Sequence, residues 1–224
     1  MNENSKIELS ASEMELVCNK EWILTKLIII DKVYQLFGAL SKQMQLRTWI
    51  LKERLPEQAT SSNPKISKGE NYENLPYVML DYPRHFTRES TLAIRTLFWW
   101  GNFFSINLHL AGECKVKAMP LLKANFKTLQ LNEYSVCTHT DPWQHHFEVN
   151  NFIPLATLTE SEFAIILERE PFLKIAKHIT LHQWHTAPVF LENHFNEMIM
   201  LLQINSPADE INLSPGIPIT GSDL

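Results

Sequence analysis

The stretch LFWWGNFFSINLHL, Leu97 to Leu110, decides how the middle of this chain is read. Gly101 stands at its centre, free to adopt the backbone angles of a tight turn, with large aromatic residues on both sides. Asn102 to Leu110 read as a strand that ends at Ala111-Gly112, and Arg88 to about Trp99 read as a helix. Gly101 then turns helix into strand. The rings around it, Trp99, Trp100, Phe103 and Phe104, belong to a core, or else line a ligand pocket or a dimer surface.

Working outward, Pro76 to Tyr82 forms a strand. Before it, residues 56–71 (PEQATSSNPKISKGEN) have no apolar period and are dense in Pro, Ser, Asn and Lys, as an exposed linker is. Ser10 to Leu55 are helical. Ser and Glu stand at capping-box spacing, Ser10 with Glu13 and Ser12 with Glu15, and Leu24, Leu27, Ile28, Val33, Leu36, Phe37 and Leu40 make a wide apolar stripe. Gly38 and Ser41 suggest a break into a second helix.

Downstream, a helix near Pro120 to Leu129 precedes a β-hairpin from Glu133 to Leu155. Thr159 and Glu162 form another capping box, for a helix to about Glu170. Phe172 to Trp184 fits strand or helix, and Ile175, Ile179 and Thr180 favour strand. Pro188 opens a final helix to about Gln203. The expected class is α+β: an N-terminal helical pair (1–55) packed on a mostly antiparallel sheet with a C-terminal helix, the core domain being 72–204 and a mobile tail 205–224.

The hairpin carries the densest set of chemically able side chains. With Asp141 to Gln144 as its loop, His139 lies opposite His146 and Cys137 opposite Glu148. His139, Asp141, His146 and Glu148 then share one face, where residues two apart on a strand are about 6.5 to 7 Å apart and opposed ones about 5 Å. Such a cluster could hold Fe(II), Zn or Mn. His139-x-Asp141 has the form of half of a two-histidine, one-carboxylate iron site. His178, His182 or His185 could supply a further ligand, although His178 and His182 chelate together only on a helix. No Lys or Arg follows Lys177, which removes the cation a 2-oxoglutarate-type site needs. An antiparallel sheet with one wet face would produce the same alternation.

Arg84, Arg88 and Arg95 are a second group. On a helix, Arg88 and Arg95 share a face, and with Trp99 and Trp100 they could bind a small acidic ligand through planar guanidinium groups. His85, His109 and His194 read as surface or satisfied core histidines.

Absences narrow the classes. No GxG arrangement, G-x-S-x-G elbow or H-E-x-x-H run occurs, so dinucleotide, P-loop, standard serine-hydrolase and zincin chemistries are not written here. The net charge is −5, with every Lys and Arg at or before Lys177, which offers no basic surplus for nucleic acid. Three scattered cysteines and a polar start suit a reducing, cytoplasmic location, and the apolar runs are too short for a membrane span. The expectation is a cytoplasmic binding or self-associating module, with a homo-oligomer through aromatic surface as one form of it. The alternative is a mononuclear metal-dependent enzyme.

Overall fold

In the computed structural model, which describes residues 7–204, residues 97–110 are the tip of a β-hairpin. The expected helix ending at Trp99 is instead a strand, Ser90–Trp99, joined through Gly101 (φ +75°) to the strand Phe103–Ala111. The reason is burial on both sides. A strand covered on both faces reads as a nearly continuous apolar run and loses the period that separates strand from helix. Leu92 to Trp99 are buried without interruption.

In chain order the elements are α1 (Ala11–Cys18), α2 (Lys20–Ile50), α3 (Glu57–Thr60), β1 (Lys65–Tyr72), β2 (Leu75–Phe86), β3 (Ser90–Trp99) and β4 (Phe103–Ala111). Then follow α4 (Gly112–Ala124), α5 (Phe126–Leu131), β5 (Ser135–Cys137), β6 (Phe152–Pro154), α6 (Glu160–Arg169), β7 (Phe172–Thr180) and α7 (Ala187–Met200). The seven strands form one sheet in the order β1-β2-β3-β4-β7-β5-β6, every pairing antiparallel. The chain is α+β, with an N-terminal helix pair and a C-terminal helix.

One main core lies between one face of this sheet and the helices. Val78, Leu80, Ile94, Phe98, Phe104, Ile106 and Leu108 of the sheet meet Val33, Phe37, Leu40 and Met44 of α2 and Leu191, Phe195 and Met198 of α7. Packing overrides the expected break in the N-terminal helix. Glycine costs a helix interior about 1 kcal/mol, whereas each buried large apolar side chain contributes about 1.5 to 3 kcal/mol. α2 therefore runs straight through Gly38, and the interruption falls at Asn19, whose side chain accepts the N–H of Trp22.

Part of the expected linker is also folded. Residues 57–60 are α3, and Lys65 to Tyr72 are the edge strand β1, paired to β2 from Lys65 opposite Asp81 to Tyr72 opposite Leu75. Edge strands are kept polar and charged, which makes them resemble loops in sequence. The β1–β2 turn, Glu73-Asn74, has positive φ at both residues, as two-residue hairpin turns of matching twist do. Gly112 (φ +57°) starts α4 where a Cβ would lie 1.9 Å from the Glu89 carbonyl oxygen.

Other expectations hold. The Ser10–Glu13 and Thr159–Glu162 capping boxes are both formed, residues 172–180 are a strand, and Pro188 lies in the first turn of α7. The expected tail, 205–224, lies outside the described residues. Among the described residues no helix is long and apolar enough to cross a membrane.

Candidate functional site

Among the described residues no helix contributes to the apolar clusters on the second face of the sheet. Period-two alternation puts Asp81 of β2, Arg95 of β3, Asn107 and His109 of β4 and Lys174 of β7 there, because Arg95 pairs with Asp81 and Asn107, and His109 pairs with Lys174. All five are buried. On one side of this polar strip lie Met79, Leu97, Trp99 and Phe103, joined by Tyr72 and Tyr77. On the other lie Cys137, Phe152 and Phe172.

The roof is the segment expected as a metal-binding hairpin. β5 and β6 do pair, but with Cys137 opposite Phe152, and residues 138–151 form a loop rather than strands. Strand β5 spends its other edge on β7, with Ser135 opposite Ala176. The loop satisfies several of its backbone polar groups through tertiary contacts instead of a ladder. Tyr72 Oη accepts the backbone N–H of His145 at 2.7 Å and of His146 at 3.1 Å. Lys174 Nζ donates to the carbonyl oxygens of Pro142 (3.0 Å) and Gln144. Asn151, fully buried, donates to the His146 carbonyl and accepts the Cys137 thiol at 3.3 Å.

This geometry parts the four expected metal ligands. His139 Nδ1 accepts the Asp141 N–H at 2.9 Å, and the Asp141 carboxylate accepts the Trp143 N–H and the Gln144 side-chain amide, all local turn bonds. Glu148 is exposed, and His146 does not face His139 across a ladder. Among the described residues no three His, Cys, Asp or Glu side chains are grouped to hold a metal ion. His178 lies on β7 beside Phe147, with ring centroids 4.1 Å apart, and His182 falls in the 3-10 turn after that strand.

The expected arginine site also changes. Arg88 is exposed in the β2–β3 turn, Arg84 pairs with Ala93 beyond an irregularity in β2, and of the three only Arg95 lines the cavity under the loop. Trp99 joins the wall through Tyr72, donating to its carbonyl oxygen at 3.2 Å, while Trp100 packs toward Trp22 on the helix side. The aromatic run at 98–104 is mostly interior: Phe98, Trp99, Phe103 and Phe104 are buried.

Between strip and roof is a cavity of about 300 Å³ lined by Tyr72, Tyr77, Met79, Arg95, Leu97, Trp143 and His145. Arg95 binds Asp81 with Nε (2.7 Å) and Nη2 (3.1 Å), which leaves Nη1 outside the pair. The Trp143 ring lies over its guanidinium at 5.4 Å, itself 52% exposed, as a partial cover. His145 is only 8% exposed, and its Nδ1 has no hydrogen-bond partner. Larger clefts of about 610 Å³ beside Cys114 and about 640 Å³ beside Thr48 contain no such orphaned group among their lining residues.

Buried cations and neutral histidines set the electrostatics of the site. Burial, then the charges of Lys174 and Arg95, pushes His109 down to about 3. The same causes hold His145 well below its ordinary value. Both rings are neutral near pH 7. Burial lowers Lys174 to about 8, so it remains mostly charged there. Arg95, paired with Asp81, and Lys174, which feels the charge of Asp141, thus stand under a low-dielectric cover that strengthens any charge interaction.

Sequence reasoning missed Tyr72, Tyr77, Met79, Asp81, His109, Trp143, His145 and Lys174 as site residues. A signal did exist: Ser105, Asn107 and His109 alternate with Ile106, Leu108 and Leu110, marking one polar face. No family model matches the chain, and neither does any curated protein or solved structure.

Proposed function

We propose that this protein binds a small, flat organic anion, of the monocyclic aromatic carboxylate class, between the open sheet face and the 138–151 loop. The observation that carries this reading is the buried, unpartnered Nδ1 of His145 in the wall of the cavity that also contains Arg95. An orphaned buried polar atom costs about 1 to 3 kcal/mol, and a ligand hydroxyl or carboxyl group there would remove that cost.

The ligand class follows from the walls. Tyr72, Tyr77 and Trp143 offer ring faces and edges, and Met79 and Leu97 a soft apolar floor, suited to one aromatic ring. Arg95 supplies a planar donor matched to a carboxylate, and Lys174 adds positive field. About 300 Å³ is the lower end of ligand-pocket volumes, which limits the guest to a ring with few substituents. The sequence groups Arg84, Arg88 and Arg95 with Trp99 and Trp100 for a small acidic ligand, and of that set the proposed site keeps Arg95. Its position under the loop is not read from the sequence.

The test is calorimetric titration with benzoate, 4-hydroxybenzoate and salicylate against neutral benzamide and cationic benzylamine. Saturable binding of at least one carboxylate, absent for the amide and amine, and weakened about tenfold or more by His145→Ala is expected. Equal affinity for acid and amide, or binding indifferent to His145→Ala, would overturn the assignment. The Asp81→Asn, Arg95→Gln pair of substitutions removes the fork without stranding either charge, and should also abolish preference for the acid.

A further inference from the structure

We infer that residues 7–28 of one chain pack against the same segment of a second copy, α1 of each lying on α2 of the other. Every residue from Ile7 to Thr25 is exposed, and α1 buries none of its side chains. The segment is nevertheless strongly specified. α1 has a complete reciprocal capping box, Ser10 with Glu13, and α2 begins one residue after it ends, capped by Asn19. An isolated eight-residue helix is marginal in water, so its persistence calls for a partner surface.

The exposed side chains have the pattern of such a surface. Leu24, Leu27 and Ile28 stand at i, i+3 and i+4 on α2 and are 54 to 58% exposed, and α1 adds Met14, Leu16 and Val17 at 50 to 68%. Only further along does α2 enter the main core, from Ile30 onward. Together with Ile7, Leu9, Trp22 and Ile23, ten large apolar residues are exposed within 22 positions. Monomers rarely leave a continuous apolar patch of this kind uncovered, and such a set can supply much of the ~800 Å² per partner that a stable interface buries.

Charge selects a second copy over a membrane. Residues 7–18 carry Glu8, Glu13 and Glu15 and no cation, hence −3. Residues 19–32 carry Lys20, Lys26 and Lys32 against Glu21 and Asp31, hence +1. The sum, −2, is the opposite of the Lys- and Arg-rich composition that draws interfacial helices onto anionic lipid. Lys26 already pairs with Glu70 of its own chain at 2.6 Å, so the cations that an α1 of net −3 would meet at the start of the other copy's α2 are Lys20 and Lys32, and twofold symmetry uses both contacts at once.

The experiment is sedimentation equilibrium of the full chain over a concentration series, with charge-swapped partners. The wild type is expected to dimerise reversibly, and Leu24→Glu with Ile28→Glu to give a monomer that keeps the wild-type circular dichroism and still unfolds cooperatively. Glu8→Lys with Glu15→Lys should weaken dimerisation about tenfold or more, as should Lys20→Glu with Lys32→Glu, and mixing these two variants should restore it as a heterodimer. A wild type monomeric at every concentration overturns the inference, as does a mixture no tighter than either variant alone. Flotation of the wild-type monomer with phosphatidylcholine vesicles would assign the surface to lipid and overturn it equally.

Discussion

Arg95 on β3 forks onto Asp81 on β2, Nε to Oδ1 at 2.7 Å and Nη2 to Oδ2 at 3.1 Å, and both residues are buried. Breaking one side of a buried pair leaves the other charge without compensation, which costs about 3 to 5 kcal/mol. Arg95→Gln alone and Asp81→Asn alone should each lower stability by roughly that amount in denaturant unfolding. The double substitution should cost clearly less than the sum. Additive losses would show that the two charges are solvated independently through the cavity.

Lys174 ties the loop to the sheet. It is 1% exposed and donates to two loop carbonyls, Pro142 and Gln144, that the described structure otherwise leaves to it. Lys174→Met keeps the buried stem and removes the donors. Amide hydrogen exchange should then rise in residues 142–147 while β3 and β4 stay protected, with a global loss of about 1 to 3 kcal/mol. Unchanged exchange in the loop would assign its order to Tyr72 and Asn151 alone.

The same lysine gives ligand binding a pH limit. Its proton is lost near pH 8, lowered by burial, so the positive field at the site falls as pH rises through that value. Affinity for an aromatic carboxylate should drop across pH 7 to 9 in the wild type and stay flat, at the weaker level, in Lys174→Met. A flat wild-type profile would remove Lys174 from the binding field.

His109 sets an acid limit on stability. Folded, it takes up a proton only near pH 3, whereas the unfolded chain does so near 6.5. Between those values unfolding gains a proton, so stability falls as pH falls, by up to ~1.4 kcal/mol per pH unit for this one site. His145, also held below its ordinary value, adds to the slope. His109→Gln should flatten the unfolding free energy between pH 4 and 6 relative to wild type. Histidine resonances in the folded protein provide a second check, since those of His109 should not shift above pH 4.

Metal chemistry at the loop has its own test. His139 and Asp141 are engaged in local turn bonds, and among the described residues no three of His139, Asp141, His146 and Glu148 are grouped to hold an ion, so wild type and His139→Ala should show the same uptake of Fe(II), Zn or Mn. One equivalent bound by wild type and lost in His139→Ala would require the loop to rearrange around the ion.

What sequence alone determined are features whose causes lie within a few residues. The capping boxes at Ser10 and Thr159, the β-branched strand at 172–180 and the proline-led helix after Ala187 depend on hydrogen bonds and backbone preferences spanning three or four positions, and all appear as expected. Tertiary structure decided the rest. β3 is a strand because both its faces are buried, α2 crosses Gly38 because its next turns dock on the sheet, and β1 is polar because it is an edge. The candidate site belongs to this second group. Tyr72, Arg95, His109, His145 and Lys174 come from four strands and a loop, and only the pairing of β1, β2, β3, β4 and β7 makes them neighbours. A polar residue inside an apolar strand announces a buried partner but not its identity, because the partner is chosen by the sheet order and not by any spacing along the chain.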